Sequence, residues 1–303
     1  MTELYRKLQT GLSEICTGDR VLSDEPMSRH TTFRVGGPAA LYVIPSDETE
    51  LSETVRACND AGADFYVIGN GSNLLVRDAG YDGVIIEIGK AMSDIVIDGD
   101  VITAQAGASL ARIAASARDA GLTGLEFASG IPGNLGGACV MNAGAYDGQM
   151  KDVLVSVRLM DKEGRFYDES ADGLKLDYRY SNIPERELVV VSAVMKLSAG
   201  DADEITAKMK DLNARRAEKQ PLEYPSAGST FKRPAGYFAG KLIQDAGMQG
   251  YSVGGAQVSE KHAGFVINRG GATADDIWQL TCDVIKAVED KFGVTLEREI
   301  KLL

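Results

Sequence analysis

Apolar residues recur along this chain at two spacings, which together predict a mixture of helices and strands. The helical spacing is clearest in a helix that Ser46 or Asp47 would cap and that runs to about residue 61, where Leu51, Val55 and Cys58 would share one face. Further helices are predicted at residues 1–16, 109–120, 201–219, 237–246 and 273–292. Strands, some of them paired in hairpins, are predicted within residues 41–45, 64–69, 83–89, 94–107, 153–169, 187–198 and 294–303. Since several strands pair in hairpins and do not alternate regularly with helices as in βαβ units, the pattern indicates an α+β fold.

These elements group into an N-terminal helix and two predicted domains. The helix belongs to residues 1–20, and a first α+β domain with two subdomains follows at residues 21–200. Near residue 200 the composition becomes more charged, which is typical of a boundary. Residues 201–303 are therefore predicted to form a second, smaller α+β domain.

The charge balance excludes some classes of partner. The chain has 303 residues, of which 44 are acidic and 32 basic, and its formal net charge is −12. Duplex nucleic acid and acidic membrane surfaces both attract basic proteins, so neither is expected to bind. Four widely spaced cysteines and only two histidines predict no metal site. The N-terminus has no signal-peptide pattern, so a cytoplasmic protein is expected.

Glycine is the unusual feature of the composition. The chain contains 34 glycines without a collagen period, which suggests backbone that approaches something closely. The longest uncharged stretch, residues 127–146, carries five glycines and one proline. It is long enough to span a bilayer, but this composition predicts a loop-rich segment instead of a spanning helix.

Two glycine-rich loops are the candidate ligand sites. The first loop follows a predicted strand and reads Gly69-Asn70-Gly71-Ser72-Asn73, and the second covers residues 129–148. Neither contains a dinucleotide fingerprint, a P-loop or a nucleophile elbow. Each loop alone could be a plain turn. Together they could hold a pyrophosphate through backbone N–H groups, which would suit an anionic cofactor in an acidic protein.

Several segments resemble known flavoproteins. The segments TTFRVGGPA, VIGNGSNLLV and GIPGNLGGACVMNAGAY are similar to the FAD-binding fold of vanillyl-alcohol-oxidase-like (PCMH-type) proteins. Three more segments resemble the UDP-N-acetylenolpyruvoylglucosamine reductase family, namely DYRYS (177–181), AGSTFKRP (227–234) and LEREI (296–300). The resemblance extends over roughly residues 20–303, and its motifs are specific because their order and spacing also agree.

The resemblance implies a bacterial cytoplasmic flavoenzyme that makes a peptidoglycan precursor. Residues 21–200 would bind FAD non-covalently, and residues 201–303 would bind substrate, with the C-terminal strand returning to the active site. NADPH would reduce FAD, which would then reduce the enolpyruvyl ether of a UDP-sugar. The implied FAD contacts lie in the two loops: Gly69, Asn70, Gly71, Ser72, Asn73, Ser129, Gly130, Ile131, Pro132, Gly133, Gly136 and Gly137.

Three residues match the family's catalytic positions. Arg179 would stabilise the developing enolate, Ser229 would donate a proton to the α-carbon, and Glu299 would assist that step. Without the resemblance, the same residues could be a surface ion-pair partner, a loop or helix-cap serine, and one side of a solvated strand.

Substrate binding is assigned to polar and cationic residues that surround the catalytic motifs in sequence. These candidates are Tyr178, Arg215, Arg216, Arg233, Lys241, Gln244, His262 and Asn268, with Lys219 and Lys261 as further cations. The chain resembles the shorter type of the family, which lacks an inserted tyrosine loop that closes over the substrate.

Two other functions remain open from the sequence. One is a different flavoprotein of the same fold, such as an oxidase or dehydrogenase of a small alcohol or hydroxy acid. The other is a non-catalytic protein that binds a nucleotide sugar. In each case the partner is a small molecule, and the protein is expected to be a monomer.

Overall fold

A computed structural model describes residues 2–303, which form two compact units. Unit 1 comprises residues 2–24, 40–70 and 82–215, and unit 2 comprises residues 25–39, 71–81 and 216–303. The structure divides the chain differently from the predicted domains at 21–200 and 201–303, because the early segments 25–39 and 71–81 belong to unit 2. The prediction of an N-terminal helix includes Met1, which lies outside the described residues.

Seven α-helices are found within residues 2–303. They are α1 (Glu3–Ile15), α2 (Glu48–Ala61), α3 (Leu110–Asp119), α4 (Leu135–Val140), α5 (Ala202–Lys219), α6 (Ala239–Asp245) and α7 (Ala274–Phe292). In the part of the chain that the structure describes, no helix is both long enough and apolar enough to cross a bilayer.

The strands are mostly short. They are β1 (Val21–Pro26), β2 (Pro38–Val43), β3 (Phe65–Ile68), β4 (Leu74–Leu75), β5 (Tyr81–Glu87), β6 (Ile95–Asp98), β7 (Val101–Gln105), β8 (Leu122–Thr123), β9 (Gly144–Ala145), β10 (Gly148–Gln149), β11 (Leu154–Met160), β12 (Phe166–Ser170), β13 (Val189–Lys196), β14 (Ser198–Ala199), β15 (Ser226–Ser229), β16 (Ser252–Val253), β17 (Ala256–Val258), β18 (Phe265–Asn268) and β19 (Lys301–Leu302).

Unit 1 contains the larger sheets. One sheet has the strand order β1-β2-β5-β3, in which β3 and β5 run parallel. The other has the order β12-β11-β13-β7-β6, and its neighbouring strands are all antiparallel. Apolar side chains of α1, α2 and α3 share one core with both sheets, including Leu12, Val55 and Ile113. The antiparallel pairs β6–β7 and β11–β12 confirm the hairpins that the sequence predicts within residues 94–107 and 153–169.

Unit 2 has its own core around one antiparallel sheet. The strand order is β15-β18-β17-β16, and apolar side chains of α7 such as Ile277, Leu280 and Val284 pack in the same cluster as Val258 and Val266. Helix α7 begins with the predicted capping box of Thr273 and Asp276. The hydroxyl of Thr273 accepts the N–H of Asp276, and the carboxylate of Asp276 accepts the N–H of Thr273, so two N–H groups that the helix leaves unpaired are satisfied and its start is fixed.

Helix ends follow the sequence signals where local chemistry decides them. Asp47 caps α2 by accepting the N–H of Glu50, and Gly62 ends the helix in the left-handed conformation with φ 65°. The prediction for residues 47–61 is therefore confirmed. Gly293 ends α7 in the same way with φ 66°.

Three predictions of secondary structure are corrected. The segment 294–303 was expected to be a strand, but only Lys301–Leu302 pairs, in parallel, with the two residues of β4. Helix α6 is shorter than the predicted span of residues 237–246. The glycine-rich stretch contains the short helix α4, which its composition did not predict.

Candidate active site

Arg179 lies in a tight turn of unit 1. The backbone of Asp177 exchanges two hydrogen bonds with that of Tyr180, both 3.1 Å long, so Tyr178 and Arg179 form the tip. Asn142 supports the base of the turn, because its side-chain amide donates to the carbonyl of Asp177 at 2.9 Å. The turn is thus tied to the end of the glycine-rich segment.

The guanidinium of Arg179 is held in a defined place. Its Nη2 donates to the carbonyl of Gly144 at 3.0 Å, and its Cζ lies 5.4 Å from the centre of the Tyr178 ring. Arg179 has φ 52°, in the left-handed region that side chains rarely adopt. Such a conformation costs on the order of 1 kcal/mol or more, and it often occurs where function requires it.

Ser229 lies at the end of β15 in unit 2, next to a bulge. Ser226 pairs with Ile267 and Ser229 with Phe265, so β15 has one residue more than β18 between the two pairs. Gly228 lies inside this bulge with φ 73°. The extra residue redirects the strand just before Ser229, which is exposed while the next residue, Thr230, is fully buried.

Glu299 lies beside the Ser229 segment within unit 2. The N–H of Glu299 donates to the carbonyl of Thr230 at 2.8 Å, and the N–H of Lys232 donates to the carbonyl of Glu297 at 2.8 Å. Thr230 in turn donates its N–H to the carbonyl of Gly264. Two segments that are far apart in sequence are therefore joined, and Ser229 and Glu299 are brought near each other.

Asn73, predicted as an FAD contact, connects the first glycine loop to the same segment. Its side-chain amide donates to the carbonyl of Glu299 at 3.1 Å, and its own carbonyl accepts the N–H of Lys301 at 2.9 Å. The last residue of this loop therefore fixes the backbone on both sides of Ile300. Sequence spacing could not predict this contact, since the partners are more than 220 residues apart.

In the first loop, one glycine packs closely against the backbone of the protein itself. Gly71 has φ 58°, and a Cβ at this position would overlap the carbonyl oxygen of His30. The carbonyl of Gly71 accepts the N–H of Thr32 at 3.3 Å. At Gly71, therefore, the close approach that the glycine content suggested is made by backbone of unit 2.

In the second loop, which belongs to unit 1, several backbone N–H groups already donate to carbonyls of the protein. The N–H groups of Ser129, Ile131 and Gly133 donate to carbonyls within the loop and the turn before it. Those of Leu135 and Gly136 donate to the carbonyls of Ala108 and Ala106. These bonds define the shape of the loop, and they leave fewer of its N–H groups for a ligand.

Gly137 nevertheless leaves room for a bound group. A Cβ there would meet no atom within 4 Å, whereas one at Gly136 would lie 3.0 Å from the Cβ of Ala106. The backbone at Gly137 therefore borders open space without a side chain in between. Residues 129–137 also include no charged side chain, so this stretch fits a group that carries its own negative charge. The residues present are compatible with a flavin nucleotide.

The predicted substrate cations are distributed over helices and loops. Arg215, in unit 1, lies 4.8 Å from the centre of the Tyr146 ring and 3.5 Å from Asp211, and Arg216 is buried. Lys241, in unit 2, pairs with Asp245 at 2.5 Å one turn further along α6. Gln244 is exposed on the same helix.

Arg233 lies four residues after Ser229 and is held against an aromatic ring. Its Cζ is 3.9 Å from the centre of the Phe238 ring, and its Nε donates to the carbonyl of Tyr237 at 3.2 Å. Phe238 and Tyr237 are both exposed. Their loop thus presents a guanidinium together with two aromatic rings.

His262 offers a hydrogen-bond donor instead of a cation. Its Nδ1 accepts the N–H of Gly264 at 3.0 Å, so the proton of the neutral ring resides on Nε2. Burial lowers the pKa of His262, which favours this neutral form. The ring also packs edge-on against Phe265, with centroids 5.0 Å apart.

Asn268 has a structural position within unit 2. It is buried, its amide donates to the carbonyl of Phe33, and its Oδ1 accepts the N–H groups of Gly270 and Ala272. We therefore interpret Asn268 as a residue that shapes the loop after β18, and its predicted contact with substrate stays untested.

Sequence reasoning missed Thr230 and Arg298, which organise the Ser229 and Glu299 segments. The hydroxyl of Thr230 accepts the N–H of Val266 at 3.0 Å. Arg298 pairs with Phe231 in an isolated antiparallel bridge. The alternation of Leu296, Arg298 and Ile300 was a signal for the second residue, since it places Arg298 on the side of two buried residues.

Two family models match this chain. One is described as the FAD binding domain and matches residues 39–170. The other is described as the UDP-N-acetylenolpyruvoylglucosamine reductase, C-terminal domain, and matches residues 220–303. The first part of the chain is therefore an FAD-binding domain, and the predicted order of the two domains is confirmed.

Curated relatives match over nearly their whole length. The UDP-N-acetylenolpyruvoylglucosamine reductase of Agathobacter rectalis is 52% identical over 295 residues, with 93% of this chain and 94% of the relative covered. The protein of the same name from Caldanaerobacter subterraneus subsp. tengcongensis is 49% identical, with 96% of each covered.

Solved structures are similar at two levels. The UDP-N-acetylenolpyruvylglucosamine reductase from Thermus caldophilus has a TM-score of 0.80 and 33% identity, with 93% of this chain and 97% of that chain covered. The 4-ethylphenol oxidase from Gulosibacter chungangensis has a TM-score of 0.52 and 15% identity, with 66% and 43% covered. The second likeness is one of fold alone. The predicted α+β, PCMH-type FAD-binding fold with a C-terminal domain is confirmed.

Proposed function

This chain belongs to the UDP-N-acetylenolpyruvoylglucosamine reductase family, and we propose that it reduces UDP-N-acetylglucosamine-enolpyruvate to UDP-N-acetylmuramate for peptidoglycan synthesis. NADPH is the proposed reductant and non-covalent FAD the cofactor. One observation carries the assignment of roles: the N–H of Glu299 donates to the carbonyl of Thr230, the residue after Ser229, at 2.8 Å. A hydroxyl and a carboxyl group at the family's catalytic positions are thereby held on joined segments.

The glycine loops are proposed to hold the cofactor. Gly137 would let the flavin nucleotide approach the backbone, because a Cβ there meets no protein atom within 4 Å. The other proposed contacts are the loop residues 69–73, 129–133 and Gly136. FAD, when bound, accepts a hydride from NADPH and passes one to the substrate, so the chain's own residues must manage charge and protons.

Arg179 is proposed to stabilise the negative charge that develops during reduction. Addition of a hydride to the β-carbon of the enol ether leaves charge on the α-carbon and its carboxylate. A cation fixed before the reaction lowers the energy of that charge without the cost of reorganisation. The hydrogen bond from Arg179 to Gly144 supports this role, since it holds the guanidinium in one place.

Ser229 and Glu299 are proposed to deliver the proton. The α-carbon must gain one proton to complete the lactyl ether, and the exposed hydroxyl of Ser229 is the proposed donor. A serine hydroxyl is a weak acid, so it requires assistance from a neighbouring group. Glu299 is half-buried and is proposed to polarise this hydroxyl or to relay the proton.

Several cations are proposed to contact the substrate's anionic groups. Arg233, Lys241 and Arg215 are proposed for the pyrophosphate and the enolpyruvyl carboxylate, with Arg216, Tyr178 and Gln244 as further contacts. His262 would act as an Nε2–H donor, since its Nδ1 already accepts a backbone N–H.

The proposal is tested by separating the two half-reactions under anaerobic conditions. NADPH is added first, and bleaching of the flavin absorbance is expected. The enolpyruvyl UDP-sugar is then added, and the absorbance should return with formation of the lactyl ether. UDP-N-acetylglucosamine, which lacks the enolpyruvyl group, is the matched control. A flavin that stays reduced with the full substrate would contradict the proposal.

A further inference from the structure

Arg298 forms a cluster of contacts with the face of α7 in unit 2. Its Cζ lies 3.9 Å from the centre of the Trp278 ring, its Nε donates to the hydroxyl of Thr281 at 2.8 Å, and its Nη2 lies 2.9 Å from the sulfur of Cys282. We call Arg298, Trp278 and Thr281 the arginine clamp. Three different contacts on one helix leave this guanidinium little freedom.

The clamp is itself well supported. Thr281 is fully buried, and its hydroxyl donates to the carbonyl of Trp278 at 2.6 Å while it accepts from Arg298. The guanidinium therefore joins a continuous chain of hydrogen bonds that ends on the helix backbone. A planar guanidinium both stacks and donates sideways, which a lysine cannot reproduce.

The segment that carries Glu299 has little other regular structure. Residues 294–300, all described, are irregular except for the isolated bridge between Arg298 and Phe231. Leu296 and Ile300 are buried on either side of Arg298, whereas Glu297 is exposed. Because side chains alternate along an extended chain, anchoring Arg298 sets the direction of the next side chain, that of Glu299.

We infer that Arg298 is a positioning residue for Glu299 in the reduction of the enol ether. Arg298 anchors this segment to α7, and Asn73 holds the same backbone through its hydrogen bond to the carbonyl of Glu299. Through the bridge to Phe231, the clamp also sets the register between this segment and the one that carries Ser229. This inference rests on the proposed function, because it assigns Arg298 a role only through Glu299.

The first test is a double-mutant cycle in the holoenzyme. Arg298→Met keeps a long apolar side chain but removes the donors to Thr281. The rate of the half-reaction with the enolpyruvyl UDP-sugar should fall about 10- to 100-fold, since misplacement by about 1 Å has an effect of this size. Flavin reduction by NADPH should change less than about 2-fold. In a Glu299→Ala background, the added effect of Arg298→Met should shrink to about 3-fold or less.

Two further variants separate positioning from general stability. Thr281→Val removes the acceptor with little change of volume, and a smaller loss in the same half-reaction is expected. Arg269→Met is the matched control, since Arg269 also stacks on an aromatic ring of unit 2, that of Tyr224 at 4.8 Å. It should leave both half-reactions unchanged. If Arg298→Met does not fold, Thr281→Val and Arg298→Lys carry the test.

The chain's single tryptophan gives a direct readout of the clamp. Trp278 is the only tryptophan among the 303 residues, so all tryptophan emission comes from the ring that Arg298 contacts. Emission should change in Arg298→Met and not in Arg269→Met. Equal slowing of both half-reactions, or equal effects of Arg298→Met with and without Glu299, would overturn the inference. If the unmodified enzyme itself fails to oxidise reduced flavin with the enolpyruvyl UDP-sugar, the proposed function fails and not the clamp.

Discussion

Arg179 shows how one backbone angle matters at the scale of single residues. Its φ of 52° is shared by few non-glycine residues, among them Lys175 with φ 50° in the same segment. No spacing in the sequence predicts this, because the conformation arises from the closed turn between Asp177 and Tyr180. The motif that contains Arg179 could be recognised, but its local strain could not.

Replacing Arg179 separates the guanidinium from the backbone conformation. Arg179→Gly should relieve strain of roughly 1 kcal/mol but slow reduction of the enol ether about 100-fold or more, because the fixed cation is lost. Lys175→Gly is the matched control at a nearby left-handed position, and it should retain full activity with equal or greater stability. Single-turnover rates and urea unfolding measure both effects. A similar loss of rate in the control would assign the effect to the flexibility of the turn.

Ser229 gives a second prediction at this scale. Ser229→Ala should slow oxidation of the reduced flavin by the enolpyruvyl UDP-sugar by orders of magnitude, roughly 10²–10⁴-fold, because a proton donor is removed. Reduction by NADPH needs no such donor and should stay nearly intact. Ser226→Ala, in the same strand, should change neither rate. Equal losses in the two half-reactions of Ser229→Ala would contradict the role of proton donor.

At the scale of elements, local chemistry made some boundaries predictable and left others open. Helix α2 could be predicted from Asp47 at its start and the apolar spacing of Leu51, Val55 and Cys58, and Gly62 ends it. Helix α7 could be predicted from its capping box. Both depend on residues within a few positions, so the sequence contains the needed information.

The prediction of a strand at residues 294–303 was wrong because the pairing of this segment depends on partners that are distant in sequence. Residues 294–300 alternate as a strand would, yet the ladder partner β4 has only two residues. The backbone groups of this segment bond to Thr230, Lys232 and Asn73 instead, and these three residues are far away in sequence. The alternating pattern correctly predicted that Leu296 and Ile300 share one side of the segment, where both are buried, but it did not predict the partners with which the segment pairs.

Helix α2 also supports a prediction about pH. A hydrogen bond from Arg20 lowers the pKa of Glu50 to about 2, with Ser46 as a further donor. The unfolded chain takes up this proton near pH 4.5, so the stabilisation is present above that pH and is lost as the pH falls towards 2. Glu50→Gln should thus lower the free energy of unfolding by roughly 1–3 kcal/mol at pH 7 and by much less near pH 2.

Denaturant unfolding at several pH values measures this effect. Glu53→Gln is the control on the same helix, since Glu53 is exposed and its substitution should cost little at any pH. A deficit of Glu50→Gln that stays constant down to pH 2 would mean that the carboxylate of Glu50 does not contribute through its charge.

At the scale of the whole molecule, the distribution of charge differs from its total. Residues 205–270 contain ten Lys and Arg and five Asp and Glu, a local charge of +5, so the rest of the chain carries −17. This segment includes most of the proposed contacts to anionic groups, such as Arg233 and Lys241. A cationic segment in an acidic protein can raise the encounter rate of anionic ligands.

The association rate of NADPH should therefore fall with ionic strength. Stopped-flow measurements at low NADPH concentration should show a decrease of about several-fold between roughly 20 mM and 500 mM salt, since screening shortens the reach of these charges. Lys210→Glu, within the segment, should weaken the dependence. Lys151→Glu, outside it, should not. A rate independent of salt would contradict electrostatic attraction by this segment.

The course of the chain through the two units has a consequence for synthesis on the ribosome. Segments 25–39 and 71–81 belong to unit 2, but most of that unit is contributed by residues 216–303. At about 5–20 residues per second, the first segment emerges on the order of 10–50 s before the last residues of its unit are made. Phe33, Val35 and Leu75, which end in the unit 2 core, stay without those partners during that time. The nascent chain thus carries unburied apolar side chains while unit 1 is completed. The yield of folded protein in the cell should therefore depend on chaperones that bind the nascent chain, and not only on the free energy of unfolding of the finished protein.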